Sequence, residues 1–214
     1  MLDSLVNGLQ YARATGRTMM QNNLLVDLCL TSNALRCVQT CERILTGRDF
    51  DLNSKQNLVL FWFQLGMDRR DRVPLRIEPG LFECPHYNQR IADSFMSKKE
   101  LMDNRYNIKH DYKPIVSKVT VPETLDNYFD RSTVVMRAII DRYGPYGGTL
   151  LLVTHAPGLL ALTDALKGLR SQTETFYRNV SLFPPLAMYV AEYDGGKWKF
   201  SDQPFNILST TTQF

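Results

Sequence analysis

Two stretches of this chain share one layout, and together they fix its fold class. "LLVDLCLTSNALRCVQTCERIL" (residues 24–45) opens as an apolar run and continues as an amphipathic helix. "TLLLVTHAPGLLALTDAL" (residues 149–166) repeats the arrangement. A continuous apolar run of strand length belongs to a strand covered on both faces, as inside a parallel sheet. Strands that alternate with helices build a layered α/β domain. The spacing therefore predicts strands over 24–30 and 149–153, and helices over 34–45 and 158–166. Thr31 and Ser32 supply the turn and cap between the first pair, and Gly47 ends the first helix.

Other segments fit around these units. Apolar groups at Leu5, Leu9, Ala12, Met19 and Met20 predict a helix over 4–20, with Ser4 as its N-cap. Residues 75–77 read as a short strand before a Pro79-Gly80 turn. Residues 85–122 read as polar loop, broken by Pro85, Pro114 and Pro122. Leu125, Tyr128, Phe129, Ser132, Val135, Met136, Ile139 and Ile140 share one side of a helix over 124–143. "LAMYVAEYDGGKWKFSD" reads as a β-hairpin turning at Asp194-Gly195-Gly196.

The two elbows converge on one chemistry. Ligands of open α/β sheets bind beyond the carboxyl ends of the strands. Helix N-termini there offer free amides that suit anions. Arg36 and His155 both fall at that edge. A lone arginine in a first helical turn is more often a surface residue, and a lone histidine after a strand is more often a turn residue. A guanidinium and an imidazole at equivalent elbows make a phosphate pocket. Glu83 of "EPGLFE" is a third candidate, since a buried carboxyl can protonate a leaving oxygen.

Composition narrows the alternatives. The net charge of +3 comes from short, interleaved basic groups (Arg69, Arg70, Arg72, Lys98, Lys99) and does not point to nucleic acid. The longest apolar run, "NLVLFWFQLG", is too short to span a bilayer. Cys29, Cys37, Cys41 and Cys84 suggest no disulfide framework, and a reduced, cytoplasmic setting is the expectation. Cys37, Cys41, Cys84 and His86 fit no common zinc spacing.

"TSNALRCVQTCERIL", "RIEPGLFE" and "LLVTHAPGLLAL" together resemble the histidine phosphatase superfamily, also called phosphoglycerate-mutase-like. Within it, the resemblance is to the phosphatase domain of the suppressors of T-cell receptor signalling and to ecdysteroid-phosphate phosphatase. "YKPIVSKVTVPETLDNYFDRS", the closing "LSTTTQF" and the opening "LDSLVNGLQYARATGR" are similar too. The resemblance implies a three-layer α/β/α fold over 1–214 as a single domain. It implies that Arg36 grips phosphoryl oxygens, that Glu83 is the general acid, and that His155 contacts the phosphoryl group in the transition state. Ser32 lies beside the pocket, and Asn33 stands where the family has proline. No metal or organic cofactor is implied.

Two departures follow from the same resemblance. The family's nucleophile is the histidine of an "RHG" or "RHA" segment on its first strand, and no "RH" dipeptide occurs among these 214 residues. The fold is therefore expected without that strand, and catalysis by these residues is expected to be absent or strongly impaired. The stretch from Arg36 to Glu83 is also longer than the family's, which suggests an insertion around 50–72. The expected function is phosphoryl binding. One alternative is an active phosphomonoesterase, with water attacking directly or a strand supplied by a partner chain or a second copy. Another is an interaction module that docks through "VLFWFQLG". The substrate class stays open between phosphorylated proteins and small phosphomonoesters.

Overall fold

The computed structural model describes residues 2–47, 73–85 and 95–201. The expected insertion at 50–72, His86 and the closing "LSTTTQF" lie outside the described residues. Helix α1 (Leu2–Gln21) begins before Ser4, so that serine is not its cap. Its far end closes in a Schellman motif: Leu24 N–H bonds the Met19 carbonyl at 2.8 Å and Asn23 N–H bonds that of Met20 at 3.0 Å. Asn23 takes φ +58°, a left-handed conformation that asparagine tolerates better than most residues.

That motif corrects the first predicted strand. Residues 24–27 are used in leaving the helix, and Asp27 caps the Thr149 amide with its carboxylate at 2.8 Å. Strand β1 (Leu28–Thr31) starts four residues later than the apolar run does. Helix α2 (Leu35–Gly47) follows, then β2 (Leu75–Ile77), a 3-10 turn at Pro79–Leu81, and α3 (Lys98–Asp103). The third helix interrupts what reads as loop. Its capping box, Ser97 with Glu100, is the S-x-x-E signature of a helix start. Helix α4 (Leu125–Tyr143) opens on Thr124 as N-cap. Strand β3 (Leu150–Val153) leads into α5 (Ala156–Leu166), which starts two residues earlier than predicted because Pro157 suits a first turn. A short α6 (Phe176–Val180) precedes the hairpin of β4 (Val190–Asp194) and β5 (Lys197–Ser201). Gly195 (φ +56°) and Gly196 (φ +86°) make its two-residue turn.

The sheet runs β2-β1-β3, all parallel. Successive strand residues face opposite layers. Cys29, Leu75, Leu151 and Val153 pack with Ala12 and Met19 of α1 and Val38, Cys41 and Ile44 of α2. Leu30, Leu28, Leu150 and Leu152 pack with Val135, Met136 and Ile139 of α4 and Leu162 of α5. This alternation makes an α/β/α sandwich. The α1–α2 contact is tight at Gly16, where an added Cβ would lie 2.0 Å from the Ile44 carbonyl oxygen. No described helix is long and apolar enough to cross a membrane.

Candidate active site

Ladder bonds that run past the strand ends build the site. Ser32 N–H bonds the Val153 carbonyl at 2.9 Å, and Glu78 N–H bonds that of Thr31 at 2.8 Å. The β1–α2, β2 and β3–α5 elbows are thereby fixed side by side at the carboxyl edge. His155 is the N-cap of α5 and is buried, with its ring packed edge-on against Phe82 at 5.1 Å. Arg36, the second residue of α2, reaches it from the neighbouring elbow.

The four residues singled out in the sequence meet here. Arg36 Nη2 donates to Nδ1 of His155 at 2.8 Å and also to Oε1 of Glu83. Glu83 Oε2 lies 3.8 Å from the same Nδ1. A nitrogen that faces a guanidinium donor must present its lone pair, so the imidazole proton sits on Nε2. Nε2 then donates to Ser32 Oγ at 3.0 Å. Burial, followed by the charges of Arg36 and Arg131, pushes the His155 pKa down to about 3. The imidazole is neutral at every physiological pH.

Exposure separates the roles these groups can take. The Arg36 side chain is 58% exposed and that of Glu83 26%, so their ion pair borders water. Such pairs are weak and give way readily to a stronger anion. These side chains line part of an open cleft of about 2050 Å³, with β3, the start of α5 and residues 183–193 among its other walls. Cys37 lies beneath, its thiol 3.6 Å from His155 Nε2. Burial pushes that thiol up to about 12, so it is a neutral neighbour and no thiolate nucleophile. Cys29 and Cys41 are fully buried in the α1–α2 layer.

Sequence reading missed the groups that hold the Glu83 loop. Glu78 is fully buried and accepts from the amides of Gly80 (3.0 Å), Ile115 (2.7 Å) and Val116 (3.0 Å) and from the Tyr112 hydroxyl (2.6 Å). Thr154 Oγ1 donates to the Leu81 carbonyl at 2.7 Å. Arg131 of α4 donates to the carbonyls of Gly80 and Phe82 and forks onto Glu123. The signal for Glu78 was present, since "EPGLFE" holds two glutamates. Nothing local says which one is buried.

The chain matches no protein-family model. It is 30% identical over 213 residues to ubiquitin-associated and SH3 domain-containing protein B of Homo sapiens, covering 95% of this chain and 29% of that protein. It is 29% identical over 163 residues to the ecdysteroid-phosphate phosphatase of Bombyx mori, covering 76% of this chain and 22% of that protein. The chain thus spans less than a third of the length of these curated relatives. Its structure is similar to the crystal structure of the Bombyx mori ecdysone phosphate phosphatase in complex with tungstate. The TM-score is 0.74 at 26% identity, over 96% of this chain and 74% of that one.

Proposed function

Because this chain is a histidine phosphatase superfamily domain, we propose that its Arg36–Glu83–His155 pocket binds phosphoryl groups. Arg36 clamps two phosphoryl oxygens, as a guanidinium fork suits. His155 stays neutral, so its bare Nδ1 serves as an acceptor, for Arg36 or for the proton of a monoprotonated phosphoryl oxygen. Glu83 releases Arg36 and stays beside the dianion only by taking up a proton, since two anions do not share a hydrogen bond without one. The protonated carboxyl is then placed to give that proton to a leaving oxygen. Ser32 keeps the imidazole ring in its plane through Nε2. The observation that supports this reading most is the shared guanidinium: one Arg36 nitrogen serves Glu83 and His155 at once.

Turnover is a separate matter. In-line displacement needs a nucleophile opposite the leaving oxygen. The family uses the histidine of an "RH" pair, and these 214 residues contain none. Both ring nitrogens of His155 are engaged, and the Cys37 thiol stays protonated. We therefore assign these residues oxyanion binding with hydrolysis absent or strongly impaired. The phosphomonoesterase reading rests on the same three pocket residues and predicts vanadate-inhibited release of p-nitrophenol from p-nitrophenyl phosphate. The test is calorimetric titration with orthovanadate alongside that assay. Binding lost in Arg36→Ala, with no His155-dependent release, supports the binding reading. Release that His155→Ala removes would overturn the impairment. Vanadate heat that survives in Arg36→Ala would overturn the pocket.

A further inference from the structure

We propose that Arg131 is the positioning residue for Glu83, acting through two of the three peptide groups that lead to it. The carbonyls of Gly80, Leu81 and Phe82 are each held by a side chain from another element. Arg131 Nη1 takes those of Gly80 (2.7 Å) and Phe82 (2.9 Å), and Thr154 Oγ1 takes that of Leu81 (2.7 Å). Glu83 is the next residue, so the peptide that sets its direction ends in an Arg131 bond.

The guanidinium itself is locked. Nε and Nη2 fork onto Glu123 at 2.8 and 2.6 Å, and the guanidinium carbon lies 4.9 Å from the centre of the Tyr128 ring. Both side chains of the ion pair are nearly inaccessible, at 8% and 5%. The loop has no slack against α4. A Cβ on Gly80 would lie 2.5 Å from Cγ2 of Val135, one helical turn beyond Arg131. A buried pair is costly to desolvate unless its remaining donors are used. Here both Nη1 donors go to the loop. Arg131 also lowers the His155 pKa, so its charge reaches the pocket from behind.

Lysine keeps the charge but cannot fork onto Glu123 and hold two carbonyls together. The proposal rests on the oxyanion reading of the pocket, and its test separates the two. The probe is tungstate, titrated calorimetrically into the 214-residue chain at several pH values. Glu83 is faced by Arg36 from α2 and His155 at the start of α5, and it interacts electrostatically with Cys37 of α2, the adjacent Cys84 and Tyr128 of α4. If tungstate binding brings a proton onto Glu83, affinity falls by up to about tenfold per pH unit as pH rises. Glu83→Gln should flatten that dependence. Arg131→Lys should flatten it too, and should add nothing in the Glu83→Gln background. If Arg131→Lys does not fold, Glu123→Gln, which loosens the fork, carries the same comparison. A variant that lowers the melting temperature but keeps the wild-type pH dependence would overturn the role of Arg131 alone. Absent wild-type binding, or binding indifferent to Arg36→Ala, would overturn the pocket and this proposal with it.

Discussion

Arg36 sits where a helix dipole disfavours a cation, and the site explains why the position is tolerable. Its charge is met by the Glu83 carboxylate and its fork by the Nδ1 lone pair of His155. The partner of that arrangement is a histidine held neutral. His155 has a folded pKa of about 3 against 6.5 for an ordinary imidazole. A depressed value means the unfolded chain binds the proton first. The fold is therefore most favoured above pH 6.5, and loses stability as pH falls towards 3. The His155-dependent slope approaches about 1.4 kcal/mol per pH unit in that window. Urea unfolding of wild type and His155→Asn across pH 4–7 should show the two curves converging as pH falls. Parallel curves would mean that His155 is not titrating against burial. Glu78 makes a second case at this scale. Replacing it with leucine strands three amides and a hydroxyl, and each buried orphan costs roughly 1–3 kcal/mol. The Glu78→Leu chain should fail to give a cooperative unfolding transition.

At the scale of elements, the elbows were legible because local pattern decides them. Apolar runs of strand length, followed by helical periodicity, placed β1–α2 and β3–α5 within a few residues. The boundaries moved where side chains compete with the ladder. Asn23 and Asp27 turned the front of one apolar run into a helix exit. The "SKKE" capping box was readable, but the surrounding polar sequence hid a six-residue helix. The α1–α2 contact depends on a feature that no periodicity reveals, the bare Cα of Gly16 against the Ile44 backbone. Gly16→Ala should lower the unfolding free energy by about 1–3 kcal/mol, the usual cost of overpacking, despite alanine's better helix propensity. A gain in the urea midpoint would show that the helices can separate without loss.

The molecule as a whole is a layered sandwich whose sheet edge gathers distant residues. Arg36 and His155 were candidates in the sequence because each lies at a strand-to-helix elbow, and Glu83 because a carboxyl beside a phosphate can protonate a leaving oxygen. Their support was not legible. Arg131 reaches the Glu83 loop across 51 and 49 positions, and Thr154 across 73. Only the sandwich brings α4 beneath that loop, so composition and spacing carry no trace of it. The fold thus separates two settings, with Arg36 and Glu83 open to water at the sheet edge and buried groups behind them that hold the loop.

The central claim is that this edge binds a phosphoryl group through Arg36. The measurement that tests it most directly is a thermal melt of the 214-residue chain with and without tungstate, beside Arg36→Ala. At about 100 times its dissociation constant, the anion should stabilise the folded state by about 2.7 kcal/mol. A cooperative melt raised by tungstate in wild type, and unmoved in Arg36→Ala, is the predicted result. A cooperative melt that tungstate leaves unchanged, or raises equally in both, would contradict it.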